Sequence, residues 1–253
     1  MINYIRSEFY RTLKNRNFKI MCGIFAALIV ALVMISYSMT IVEPGFRYGN
    51  TRFILGNIYA QMTMLFTIIV AFSAIVDNSE YDNKTIKHSI AFGIDRNTIY
   101  LGRFIVQAIL GILVYVVMSV LLITLAFTFL EHSNANEINH YIRVSIGGGT
   151  CLLSVLAVTH FFIMNNDNII FGLIFPVIIM VIVPSVLNMI GRKIDVVMKI
   201  AKNLPYNLID FHGDLVQGTG GVSSYLMTSL IGLIWIVIFI LWGMYLFNKK
   251  EIR

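Results

Sequence analysis

The sequence predicts an all-α integral membrane protein of six transmembrane helices, and three observations carry that prediction. Of its 253 residues 58% are hydrophobic and only 13% charged, with a mean hydropathy of +0.80, a balance that leaves too little polar surface for a water-soluble fold. The apolar residues gather into six runs of 19 to 27 residues, each long enough to cross a hydrocarbon core of about 30 Å at about 1.5 Å per residue. The net charge of +6 comes from basic residues beside those runs, where they fix the topology of a membrane protein rather than bind nucleic acid.

The amino-terminal segment, residues 2–19, carries Ile2, Ile5, Phe9 and Leu13 at helical spacing, with Arg6, Arg11, Lys14, Arg16 and Lys19 between them. That pattern predicts an amphipathic interfacial helix. Being polar and basic, it lacks the form of a cleavable signal peptide, so the first span is expected to stay in the mature protein. The first span covers residues 20–39, and a short loop with Glu43, Pro44, Arg47 and Arg52 leads to the second, residues 55–76. The second is less apolar. Tyr59, Thr63 and Thr67 recur along one face, with Asn57 and Gln61 near the outer end; such a stripe either lines a pathway or packs against a neighbouring helix.

Residues 104–130 make a third span, longer than the hydrocarbon core requires, and 131–143 a polar exposed loop. The fourth span, 146–164, opens on Gly147, Gly148 and Gly149, which permit either close helix approach or a local break. The four-residue turn Asn165–Asn168 makes the fourth and fifth spans antiparallel neighbours. The fifth, 169–190, contains Pro176 and Pro184, each of which removes a backbone donor and favours a kink. Residues 191–224 form an extracellular amphipathic segment, with a short helix through Ile194, Val197, Met198 and Ala201 and a second turn beginning at Pro205. The sixth span is 225–247. Twelve basic residues then lie on the side of the termini and seven on the other, which places both termini in the cytoplasm.

No constellation for catalysis stands out, and none for a metal. Cys22 and Cys151 sit apart in apolar runs. His132, Glu137 and His140 share an outer loop, and Asp210, His212 and Asp214 alternate before the sixth span, but neither spacing is that of a standard metal site. His160 has no acidic neighbour at helical spacing, so it reads as a hydrogen-bonded structural histidine rather than a proton relay. The chain has no phosphate-binding loop of the G-x-x-x-x-G-K-[ST] type, so any ATP-driven work requires a separate subunit.

The stretch from Asp77 to Arg103 is charge-dense yet neutral, with Asp77, Glu80, Asp82 and Asp95 against Lys84, Lys87, Arg96 and Arg103. Asp77, Asn78 and Ser79 are N-cap residues, and Glu80 follows in the first turn, where the helix dipole favours an acid. Tyr81, Thr85, Ile86 and Ile90 give the helix an uneven apolar side; a second helix is expected to start at Asp95, after Gly93, and run into the third span. A stretch this long between two spans reads as a docking surface rather than an idle connector.

Family members of the type-2 ABC exporter permeases carry here an acid, a G-T-hydrophobic-K run, then a glycine followed by S-R, a hydrophobic and a basic residue. This chain has Glu80, then Thr85, Ile86 and Lys87, then Gly93 with Arg96, Ile99 and Arg103, and it departs at Lys84 and Asp95. With LPYNLI, Leu204 to Ile209, before the last span, the whole chain resembles such a permease subunit, and most of all the small bacterial permeases for bacitracin, lantibiotics or phenol-soluble modulins. The resemblance implies a coupling helix in residues 77–103 that docks into a cytoplasmic ATPase through Glu80, Tyr81, Lys84, Thr85, Lys87, Gly93 and Arg96. It implies two ATPase subunits that bind ATP and Mg, a second permease copy or a related permease, and a bacterial plasma membrane. The pathway would lie between the permeases, with Asn57, Tyr59, Gln61, Thr63 and Thr67 as lining candidates and an amphipathic or antimicrobial peptide as cargo. The rival expectation is a non-transporting immunity or sensor protein that binds a peptide.

Overall fold

Asn15 sets the first corner of the chain. In the computed structural model, which describes residues 1–43, 45–57, 85–132, 137–166, 168–204, 207–208 and 222–250, Asn15 is extended and its side chain accepts from the Asn17 amide at 2.8 Å. It thereby ends α1 (Ile2–Lys14) and caps α2 (Arg16–Val42). The single surface helix expected over 2–19 is thus two pieces. Residues 16–19 belong to the first membrane helix, because an asparagine side chain competes for the backbone where the periodicity alone would continue.

Asn50 accepts from the Phe53 amide at 2.8 Å and opens α3 (Thr51–Asn57). The expected second span from 58 onward, and with it Tyr59, Gln61, Thr63 and Thr67, lies outside the described residues. The next described helix is α4 (Thr85–Ala91), followed across a glycine corner by α5 (Arg96–Phe129). Asp95 caps α5, its carboxylate accepting from the Thr98 amide at 3.2 Å. At 34 residues α5 is about 50 Å long and outreaches the hydrocarbon core.

The polar loop expected over 131–143 is shorter than its composition suggests. Helix α6 (Glu137–Asn165) begins inside it and runs unbroken through Gly147–Gly149. Its first turn is held by burial: Glu137 takes the hydroxyl of Thr51, and Tyr141 donates to Ser119 of α5 at 2.8 Å. Burial raises the Tyr141 hydroxyl above its ordinary range.

Asn168 caps α7 (Ile169–Val177) through the Ile170 amide at 2.8 Å. The fifth span then answers its two prolines with a π-turn, Ile178–Ile182, before α8 (Val183–Gly191). The Val183 amide reaches back five residues to the Ile178 carbonyl, so the helical hydrogen bonding widens between the two prolines while the chain stays helical. The amphipathic helix expected near 194–201 is α9 (Asp195–Lys202), and α10 (Val222–Lys249) ends the described chain.

Among the described residues five helices are long and apolar enough to cross a membrane, within 16–42, 96–129, 148–165, 170–191 and 226–249, and none forms a strand beyond one isolated bridge between Asn50 and Glu131. The protein is an all-α, multi-pass membrane protein. Helix α6 is its axis: 67% of its apolar window is buried, against 28% or less for the others. Helices α10 and α7 flank it, and α5 joins it to α2 and α1. Ile99, Tyr100, Val158, Phe161, Met164, Phe239 and Phe247 form the main core, toward the terminal end where α1 lies against α5 and α10 finishes.

Candidate functional site

The corner between α4 and α5 lies at that terminal end. Helix α4 closes with the Gly93 amide bonded to the Ile90 carbonyl at 2.9 Å and the Ile94 amide to the Ser89 carbonyl at 3.1 Å. This paired closure requires a left-handed residue after the helix, and Gly93 supplies it with φ +81°. Ile86, Ile90 and Ile94 pack against the main core. The corner is therefore anchored from within, and Phe92 at its apex is 86% exposed.

Of the residues expected to dock a partner, Thr85 and Lys87 lie on α4, Gly93 makes the corner and Arg96 opens α5. Glu80, Tyr81 and Lys84 fall outside the described residues. Arg96 is half-buried and turns toward α10: one guanidinium nitrogen donates to the carbonyls of Phe247 at 3.4 Å, Asn248 at 3.0 Å and Lys250 at 2.8 Å. Asn248 adds a bond to the Asn97 side chain at 2.7 Å. Lys250 in turn donates to the carbonyls of Met164 at 3.4 Å and Asn166 at 3.0 Å, at the end of α6. The last carbonyls of a helix lack intrahelical partners and carry the negative end of its dipole, so a cation is favoured at each place.

Arg103, two turns along, is 3% exposed. Its Nε donates to the Tyr4 hydroxyl at 3.2 Å and its Nη1 faces the Met164 sulfur at 3.6 Å. Glu8 is also buried on that face of α1 and pairs with Arg11 at 2.5 Å. Burial raises the Glu8 carboxyl above its ordinary value, while the Arg103 charge and a bond from Tyr4 pull it back in part. Arg96, Ile99 and Arg103 stand at i, i+3 and i+7, one face of α5. That face looks into the bundle. Phe92, Glu8, Tyr4 and Lys250 escape a charge-and-motif reading, although Glu8, the one acid among residues 2–19, is a visible signal.

His160 is fully buried between the Gln107 side chain at 3.1 Å and the Tyr100 carbonyl at 3.2 Å. Nδ1 faces Gln107 Oε1 and Nε2 faces the Tyr100 carbonyl oxygen, both from α5. These bonds fasten α6 to α5. At the far end the His132 ring packs edge-on against Phe127 and Glu137 serves Thr51, so the two are engaged separately. Among the described residues no group of three or more His, Cys, Asp or Glu side chains is placed to hold a metal.

For the transport path, the structure places Asn57 at the end of α3. Along the fifth span Ile170, Ile174, Ile178 and Ile182 are all exposed, an apolar face that passes over the π-turn. The family model described as ABC-2 family transporter protein matches residues 4–183. No curated protein matches the chain.

Proposed function

Because the chain belongs to the ABC-2 transporter family, and so forms the membrane permease of an ABC transporter that works with ATPase subunits, we propose that it is the permease of an exporter for amphipathic peptides. The observation that carries the docking part is the α4–α5 corner. Phe92 stands exposed at its tip, while Ile86, Ile90 and Ile94 seat its inner side on the core. An apolar tip on a rigid stem is the form of an interface anchor. Two ATPase subunits, each with ATP and Mg, dock at the corners of a pair of permeases, identical or related, at the cytoplasmic face of a bacterial plasma membrane. Thr85, Lys87 and Gly93, with Glu80, Tyr81 and Lys84 from the preceding segment, complete the docking stretch.

The peptide cargo is supported by the fifth span, whose exposed isoleucines offer apolar surface without a charged side chain between 169 and 191. Asn57, Tyr59, Gln61, Thr63 and Thr67 would supply the polar side of the pathway.

Co-purification in mild detergent with an ATPase that carries the phosphate-loop motif tests the assembly. The expected result is a stable complex that the Phe92→Ala variant weakens about tenfold or more, the loss of one interface anchor. Recovery of the permease with no ATPase overturns the exporter reading in favour of a peptide-binding immunity or sensor protein, and unchanged affinity in Phe92→Ala removes the corner as the anchor.

A further inference from the structure

Arg96 and Lys250 join the ends of three helices that the sequence keeps far apart. Arg96 is the first residue of α5, directly beyond the corner, and its guanidinium closes the end of α10 on the carbonyls of Phe247, Asn248 and Lys250. The Asn97–Asn248 bond lies at the same junction. Lys250, one residue past α10, closes the end of α6 on the carbonyls of Met164 and Asn166. Asn166 belongs to the turn into α7, and α7 lies so close to α6 that a Cβ on Gly172 would come within 2.9 Å of the Ile163 Cα. Farther along the same span is the π-turn, Ile178–Ile182, between Pro176 and Pro184.

We propose that Arg96 and Lys250 are positioning residues that carry movement of the α4–α5 corner, through the ends of α10 and α6, to the π-turn of the fifth span. The assignment rests on the ATPase-docking reading above. Three structural facts make the junction a transmitter. Each cation bonds main-chain carbonyls, so it moves a helix end and not a side chain. Both bonds lie where the helix dipole holds a positive charge. The fifth span, received through a close backbone contact, contains the segment whose hydrogen bonding already departs from the α pattern, where a bend costs least. In this arrangement Arg96 faces the permease and not the ATPase.

The test uses the full permease–ATPase complex in lipid vesicles. Cys22 and Cys151 are replaced by alanine, and a single reporter, Ile182→Cys, is placed at the last residue of the π-turn, where Ile182 is 51% exposed. Its rate of modification by N-ethylmaleimide is compared in the nucleotide-free and ADP–vanadate-trapped states. The parent should change rate by about fivefold or more, the usual lower range of coupling between distant sites. Arg96→Ala and Lys250→Met should each bring that change within about twofold while ATPase binding and hydrolysis persist, and the double variant should lose no more than either alone. Arg96→Lys, which keeps a cation in reach of the carbonyls, should restore most of the response. A reporter that does not respond in the parent overturns the proposal, as do variants that respond like the parent. Loss of ATPase binding in Arg96→Ala, with Lys250→Met unaffected in every readout, returns Arg96 to the docking surface. Failure of the parent to bind any ATPase removes the underlying docking reading instead, and is scored before any variant is compared.

Discussion

Replacing Gly93 by alanine separates backbone strain from packing at the corner. Gly93 has φ +81°, and an added Cβ would meet nothing within 4 Å. The cost of the methyl is therefore conformational, about 1–2 kcal/mol for an L-residue held in the left-handed region. If the corner escapes that cost by opening, the bonds of the Gly93 and Ile94 amides to Ile90 and Ser89 go with it, each worth about 1 kcal/mol net. The open corner then gains population by roughly 5- to 30-fold. Amide hydrogen exchange reads this directly: the Ile94 amide should exchange faster by that factor in Gly93→Ala. Gly93→Asn, whose side chain tolerates the left-handed region, should recover much of the protection, and Gly93→Val should be worse than alanine. Equal protection of Ile94 in all four proteins would refute the argument, as would an asparagine variant no better than valine, which would make the defect steric.

Two further outcomes follow from the buried contacts. The Glu8 carboxyl titrates above its ordinary value of 4.5 because burial disfavours the charge, so the stability it contributes is full below that value and is lost as pH rises through its folded value. Glu8→Gln should flatten the fall of melting temperature with rising pH above about 4.5 in detergent, and an unchanged slope would show that Glu8 does not titrate in the fold. Gly172→Ala should lower stability by about 1–3 kcal/mol because the neighbour of the new methyl is the Ile163 backbone, which cannot swing aside. Gly23→Ala, with open space around its Cβ, should be neutral or stabilising by up to about 1 kcal/mol through helix propensity; melting curves that coincide would deny the close approach of α6 and α7.

The membrane body was legible in the sequence because a span announces itself through length and composition alone. Where the chain turns is a subtler matter. Asn15 ends α1 by offering its side chain to Asn17, and Glu137 starts α6 inside a polar stretch because Thr51 waits for its carboxylate. In both cases one polar side chain outweighs the average hydropathy around it. The prolines of the fifth span pointed to an irregularity, and its form, a π-turn between them, depends on how Val183 finds the Ile178 carbonyl. No residue pattern records that choice. The acceptors of Arg96 and Lys250 are likewise main-chain carbonyls, which every residue type possesses.

Arg96 and Arg103 also change what the charge of the docking stretch means. Counted along the chain, Asp77 to Arg103 is neutral. In the fold Arg103 is buried against Tyr4 and Arg96 closes α10, so two of the four basic residues serve the permease itself. The spacing that gives them away, i, i+3, i+7 with Ile99 between, is a helix-face pattern and not a charge pattern. Summing charge over a contiguous stretch thus mixes groups with different destinations. With those two removed, the stretch holds four acids against Lys84 and Lys87, and its described tip is the exposed Phe92. Asp95 likewise serves the permease, as the cap of α5, so the charge balance counted along the chain does not describe the surface that the proposed docking would use.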